Sequence, residues 1–398
     1  MQDNLCPGCA SKEVSIFYTL DSVPVNSVLL IPSHEEAVQF PRGEIALGFC
    51  KSCGFISNYA FDPVKIEYST KCEETQGFSP TFNAFHQRLA AHLIERYDLR
   101  KKHIIEIGCG KGEFLHLLCL LGGNRGVGFD PAYVGERDAS NDGVQATFIK
   151  DFYSEKYAGY RADFICCKMT LEHIQQIYDF VSIVRRSIGD KPGTTVFFQV
   201  PDTQRILREI AFWDIYYEHC SYFSTGSLVA LFRKCDFDVV EVWKGYDDQY
   251  LMLEARAGTG RGAGSMPGKI DSEETAGNLA NFVANYKAKL EMWKRYFQKV
   301  GQNKQRAVLW GSGSKAVSFL TTLNIYDDIK YIVDINPYRH RTFSAGTGQE
   351  IVPPEFLKEY DPNIVIVMNS IYKEEIHKSL REMNLDSRVI SVDDEVLN

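Results

Sequence analysis

The chain has 398 residues, 44% of them hydrophobic and 24% charged, with a formal net charge of −8. This is length enough for two or three domains and the composition of a soluble globular protein. The acidic balance argues against a nucleic-acid partner. No apolar run approaches the roughly 20 residues of a membrane helix, and the opening MQDNLCPGC has no basic segment ahead of an apolar core, so no membrane partner and a cytoplasmic location are expected.

Four of the eleven cysteines form two pairs, Cys6-x-x-Cys9 and Cys50-x-x-Cys53. In a cytoplasmic chain such pairs read as metal ligands rather than disulfides. Four thiolates would fill a tetrahedron, so the expectation is a closed structural zinc site with no open position for chemistry. The long stretch between the pairs weakens the argument from spacing, and four unrelated thiols are the alternative. Cys119, Cys166 and Cys167 sit in apolar runs and read as small core residues. Residues 1–70, short apolar pieces broken by Pro and Gly, are too few for a large core; they are assigned to a zinc-binding module in which the metal compensates.

Residues 79–98 predict a helix, capped by Ser79 or Thr81, with Phe82, Phe85, Leu89, Leu93 and Tyr97 on one stripe. From 103 onward strands (103–107, 125–129, 163–167, 194–200) alternate with helices (112–121, 172–188, 224–235). Such alternation implies an α/β fold with a parallel sheet covered on both faces. The runs 237–245 and 249–256 read as its antiparallel finish, closing a domain over 71–256.

The first strand runs into Gly108-x-Gly110-x-Gly112. Glycines there let backbone approach a ligand and open the next helix with free N–H groups. The second strand ends in Asp130, at the ~20-residue distance where an acid meets ribose hydroxyls. The spacing differs from the dinucleotide Gly-x-Gly-x-x-Gly. With Glu106 ahead of the first glycine it points to S-adenosylmethionine and away from NAD. Glu106, Gly108, Gly110, Gly112 and Asp130 are thus candidate cofactor residues. Asp151 is another, facing the adenine amino group, or else an ordinary surface acid. His173, after the fourth strand, reads either as catalytic or as lining the cofactor.

The segment Trp213–Phe223 places Tyr216, Tyr217, Glu218, His219 and Tyr222 together, costly to bury without partners. His219 reads as a general base, with Glu218 or a tyrosine orienting it or stabilising an oxyanion; an aromatic cluster packed between domains is the bland alternative. Residues 257–271, rich in glycine, read as a linker. After them a long helix (272–300) leads into a second, smaller Rossmann-like unit over 272–398. There Gly311-Ser-Gly313-Ser-Lys315 repeats the strand–glycine–helix theme and Asp334 occupies the ribose-acid position.

These parts, in this order, resemble the three-domain, zinc-containing sugar C-methyltransferases that act on nucleotide-linked keto-deoxysugars. The resemblance rests on CPGC and CKSC, EIGCGKGEFL, YEHCSYFS, LWGSGSKAVSFL and VDINPYRHRTFSAGTGQEIVPPE. It implies a small N-terminal zinc module, a class I methyltransferase Rossmann-like central domain and a C-terminal Rossmann-like substrate domain. It further implies that His219, with Tyr216, Glu218 and Tyr222 beside it, takes a proton from the carbon next to a ketone, and that the enolate then attacks a sulfonium methyl. Tyr68 corresponds to a substrate tyrosine, and Lys315 to the substrate side of the C-terminal domain. Glu73, Glu74 and Gln76 depart from the family's tyrosine- and serine-rich stretch, which points to a different substrate pocket. An O- or N-methyltransferase acting on another small molecule, and an NAD-dependent oxidoreductase, are the competing readings.

Overall fold

Two long strands account for the gap between the cysteine pairs. The computed structural model describes residues 5–135, 143–189, 191, 193–258 and 271–394. β1 (Val14–Pro24) leads away from the first pair; α1 (His34–Val38), capped by Ser33, turns the chain; β2 (Arg42–Cys50) returns antiparallel. Val14 lies opposite Cys50 in this ladder, so residues distant in sequence meet at one end of a hairpin. β3 (Ile56–Asn58) pairs with β2.

α2 (Pro80–Tyr97) starts where its sequence says. The Ser79 hydroxyl accepts a hydrogen bond from the Phe82 N–H, Pro80 occupies the first turn, and Phe82, Phe85, Leu89 and Leu93 are buried. Beyond it come β4 (His103–Ile107), α3 (Glu113–Gly122), β5 (Arg125–Phe129), β6 (Gln145–Ile149), β7 (Phe164–Lys168), α4 (Ile177–Ile188), β8 (Thr195–Pro201), α5 (Thr203–Glu209), β9 (Ser221–Tyr222), α6 (Thr225–Lys234), β10 (Phe237–Gly245) and β11 (Tyr250–Ala257). Seven of these strands form one sheet in the order β10-β11-β8-β7-β4-β5-β6, with β11 antiparallel to both its neighbours. The chain starts in the middle at β4, moves outward to β6 and crosses back to β7. A crevice therefore opens at the C-terminal ends of β4 and β7, the switch point where α/β sheets hold ligands.

Two details differ from the sequence expectations. β6 is a fifth parallel strand that its short, half-exposed segment did not announce. The helix expected over 172–188 begins only at Ile177, because Leu171–His173 forms a separate 3-10 turn.

The linker read at 257–271 lies for the most part outside the described residues. α7 (Ser272–Gln302) leads into β12 (Ala307–Trp310), α8 (Ser314–Leu323), β13 (Tyr331–Val333), β14 (Glu350–Val352), α9 (Leu357–Tyr360), β15 (Ile364–Val367), α10 (Lys373–Glu382) and β16 (Arg388–Ser391). Five strands form a parallel sheet in the order β14-β13-β12-β15-β16.

The three units interlock. β9, from the middle of the chain, pairs with β3 and completes the N-terminal sheet, with Tyr222 opposite Ile56. Along α7, Phe282 packs edge-on against Tyr18 of β1, and Trp293 packs edge-on against Phe319 of α8. Residues Ala211–Trp213 belong to the C-terminal core, Ile215, Tyr217, Cys220 and Tyr222 to the N-terminal core, and Phe223 to the central one. Trp213 is fully buried where the first of these cores begins. Trp213→Ala is expected to cost about 3–5 kcal/mol, read as a lowered midpoint in urea unfolding.

Candidate active site

The crevice at the ends of β4 and β7 is one wall of a cavity of about 1150 Å³ to which all three units contribute. Gly108, Gly110 and Asp130 line it. Gly108 has φ +68°, and a Cβ there would lie 2.0 Å from the Thr170 Oγ1, so both conformation and space demand glycine. The Gly110 N–H donates to Asp130 Oδ2 at 2.8 Å and the Ala132 N–H to Oδ1 at 2.7 Å; the acid closes the loop while facing the cavity. Glu106 is 2% exposed and lies behind the loop, off the cavity wall, with Oε2 unpartnered. Burial pushes its carboxyl up to about 7 against the pull of Lys168. Lys168 sits 3.6 Å over the Phe114 ring and 2.9 Å from His86 Nε2. Gly112 caps α3 and packs toward Phe148. Asp151 lies on the rim, where it accepts from the Tyr157 hydroxyl at 2.5 Å and from Lys156 at 3.1 Å.

His219 faces the same cavity, 4% exposed. Its ring stands 4.0 Å from Tyr216 and 4.8 Å, edge-on, from His173, centroid to centroid. Burial, reinforced by His173, holds the imidazole well below its ordinary range, hence uncharged. Two expected neighbours are held by the N-terminal module. Glu218 turns to the N-terminal module, where Oε1 accepts from the Ser27 N–H and hydroxyl, both at 2.5 Å. Tyr222 packs into the N-terminal core and does not line the cavity, its ring edge-on to His219 at 6.2 Å, centroid to centroid. The acid beside His219 is Glu172, whose Oε1 is 4.0 Å from Nε2. Tyr68 does reach the site: its hydroxyl is 3.2 Å from His173 Nδ1.

The C-terminal unit brings its own glycine loop to the opposite wall. The Ser312 N–H and hydroxyl donate to Asp334 Oδ2 at 2.9 and 2.5 Å, as Gly110 does to Asp130. The Lys315 ammonium is paired with Asp214 at 3.1 Å and donates to Gln249 Oε1 at 3.1 Å. Arg339 is buried, donating to the Ser312 and Glu73 carbonyls. The departing stretch has structural work: Glu73 accepts from Asn336 Nδ2 at 2.9 Å, Gln76 from the Tyr372 hydroxyl at 2.6 Å, and Glu74 pairs with Lys111 beside Gly110.

Away from the cavity, the four paired cysteines converge. Cys6 and Cys53 sulfurs are 3.6 Å apart, as are those of Cys9 and Cys50, and all four lie within 4.8 Å of one another. Four sulfurs around one metal at ~2.3 Å stand about 3.8 Å apart, so the set suits a tetrahedral ion. The two turns match, with the Ala10 and Gly54 N–H groups donating to the Cys6 and Cys50 carbonyls, each at 2.8 Å.

Residues 82–242 match the methyltransferase domain family, and residues 269–390 match the C-methyltransferase C-terminal domain. Residues 82–242 are a methyltransferase domain. The C-methyltransferase NovU of Streptomyces niveus is 30% identical over 161 residues, 39% of this chain; the match spans 38% of NovU's own length. Among solved structures, the magnesium protoporphyrin IX methyltransferase of Synechocystis PCC 6803 with bound SAH is 17% identical, with a TM-score of 0.37 over 46% of this chain and 89% of that one. The 1,6-didemethyltoxoflavin-N1-methyltransferase of Burkholderia thailandensis is 15% identical, with a TM-score of 0.35 over 45% and 81%. Among the described residues no helix is long and apolar enough to cross a membrane.

Glu172 and Ser27 had no assigned role in the sequence. An acid at the C-terminal edge of a parallel strand is a usable signal for the first; a serine in a loop is none for the second. Burial raises Glu218 to about 7. A raised carboxyl pKa means the folded state keeps a proton that the unfolded chain releases above ~4.3. Its contribution is therefore present at low pH and lost as pH rises to about 7. Relative to Glu218→Gln, the native chain is expected to lose stability on the order of 3 kcal/mol between pH 4.5 and 7, checked by urea unfolding of both proteins across that range.

Proposed function

We propose that the chain is a zinc-containing, S-adenosylmethionine-dependent C-methyltransferase acting on the carbon beside the ketone of a nucleotide-linked deoxysugar. One juxtaposition supports this most. A buried, uncharged histidine faces the same cavity as the glycine loop, in a chain whose tail matches the C-methyltransferase C-terminal domain.

The glycine loop suits such a cofactor because Gly108 and Gly110, both at positive φ, bring bare backbone to the cavity wall beside Asp130. When bound, S-adenosylmethionine supplies an electrophilic methyl group on a sulfonium. Gly108, Gly110 and Gly112 hold it through close backbone, Asp130 offers its carboxylate to ribose hydroxyls, Glu106 supports the loop from behind, and Asp151 stands at the rim for the adenine.

His219 takes the proton from the substrate carbon. A carbon acid beside a ketone needs both a base and a donor for the enolate oxygen. Burial keeps the Tyr68 and Tyr216 phenols protonated well above their ordinary range, so both are donors at neutral pH. Glu218 and Tyr222 anchor the segment that carries the base. Lys315 and the Ser312–Ser314 loop bound the acceptor side, and enclosure by three units keeps water from the enolate. His219→Asn is expected to lower kcat 10²–10⁴-fold while binding of S-adenosylhomocysteine, followed by calorimetry, is unchanged. Nuclear magnetic resonance of the product should find the new methyl on carbon; a methyl on oxygen or nitrogen refutes the proposal.

Cys6, Cys9, Cys50 and Cys53 hold the zinc as thiolates, with no open position. Binding of this kind contributes about 10–16 kcal/mol to folding. Metal analysis should find one zinc per chain, and Cys50→Ser should lose it together with a large drop in thermal midpoint.

A further inference from the structure

A base with a depressed pKa is a weak one, and His219 sits beside a carboxyl that the steps above leave idle. Glu172 is 1% exposed, and neither of its carboxyl oxygens has a hydrogen-bond partner. Leaving such a group buried and unpaired costs on the order of 1–3 kcal/mol or more. Its Oε1 lies 4.0 Å from His219 Nε2, a separation of the kind that tightens to a hydrogen bond when substrate fills a site. The two residues are locked in register by their own backbones. The Cys220 N–H donates to the Glu172 carbonyl at 3.0 Å, and the Ser221 hydroxyl to the Ile174 carbonyl at 2.8 Å. Of the other polar neighbours, His173 Nδ1 is bonded to Tyr68 and Glu218 Oε1 to Ser27. Among the described residues no lysine or arginine forms an ion pair with Glu172.

We propose that Glu172 is the positioning residue of the base: its carboxylate accepts from the Nε2–H of His219, so that Nδ1 carries the lone pair, and it takes the Nε2 proton as Nδ1 receives one from substrate. This rests on the reading of His219 as the base. The step balances. The substrate C–H bond breaks and its electron pair stays on the substrate as the enolate. The proton bonds to Nδ1, the Nε2 proton passes to Oε1, and a neutral ring and a neutral carboxylic acid remain.

Burial favours that outcome. It disfavours an imidazolium at His219 and raises the Glu172 carboxyl to about 8. The resting carboxylate then needs a positive charge in the cavity, which a bound sulfonium brings and methyl transfer removes. The neutral product cofactor lacks it.

The test needs no acceptor. Calorimetry of S-adenosylmethionine and of S-adenosylhomocysteine is run near pH 7.5 in two buffers of different ionisation enthalpy. The native protein is expected to release a fraction of a proton with the sulfonium compound and none with the thioether, and Glu172→Gln to bind both without release. Equal release with both ligands, or release that survives in Glu172→Gln, overturns the proposal. Failure of either ligand to bind refutes instead the methyltransferase reading on which it rests. Once an acceptor is turned over, Glu172→Gln should lower kcat at least 10²-fold with KM unchanged and flatten the pH profile, and Glu172→Asp should recover part of the rate. A second metal ion per chain that disappears in Glu172→Gln would make the carboxyl a metal ligand and also overturn the proposal.

Discussion

The site depends on one constraint: a single stretch of chain, Ala211–Phe223, is buried in three hydrophobic cores within thirteen residues' reach. Its aromatic side chains are the anchors. Phe212 stacks on Phe319 of the C-terminal unit, Tyr217 packs on Phe61 of the N-terminal module, and Phe223 meets Phe55 beside the central sheet. Each anchor contributes a few kcal/mol of burial, and each fixes the stretch from a different side. Between them Tyr216, Glu218 and His219 are pinned at the junction and line the cavity. A histidine on a free loop would have to be ordered by substrate; here the ordering has been completed by folding.

The same enclosure explains why the polar groups at the junction are so poorly satisfied. Glu106, Glu172, Gln199 and Glu218 each keep a buried oxygen without a partner. Such groups are expensive in isolation, and three of them are carboxyls whose ionisation burial opposes. They are tolerated because the sheet beneath them, with β7 and nearly all of β8 buried on both faces, supplies apolar burial in excess. Stability thus comes from the strands, and Glu172 and Glu218 carry unmet hydrogen-bonding capacity at the cavity wall, where a ligand can meet it.

Much of the fold was legible because it rests on strong local patterns. α2 has its cap and stripe, and β4, β5, β7 and β8 are apolar runs bounded by glycine or polar turns. β6, β14 and β16 were not legible. They are short or half-exposed edge and near-edge strands whose existence is decided by what they pair with. The glycine loop was legible because left-handed backbone admits few other residues. The acid that lies 4.0 Å from His219, Glu172, was not. Glu218 precedes His219 in a turn closed by the His219 N–H on the Tyr216 carbonyl at 3.2 Å, and its Oε1 is taken up by Ser27. Sequence adjacency brought out Glu218, and Glu172 comes near the ring through a backbone pairing that spans the central domain. The cysteine pairs show the opposite case. Their long separation looked like a weakness until β1 and β2 turned it into a hairpin.

The two glycine loops face each other across one cavity, yet their surroundings differ. Both close on the acid at the end of the next strand. The C-terminal loop is further bound to the rest of the protein, through Ser27 to Ser314 at 2.7 Å and through the Lys315 contacts. Its polar groups serve the wall. The contacts that hold this unit over the cavity are also of two kinds. Along α7 they are aromatic and buried, from Tyr18 and Phe282 to Trp293 and Phe319. On the far side they are hydrogen bonds: Gln249 with Asn369, Ser79 with Glu375, Glu73 with Asn336. Hydrogen bonds exchange with water at small net cost, and apolar burial does not. The α7 side is therefore the rigid one, and it is the side on which the Ala211–Trp213 anchor, leading to His219, is fixed.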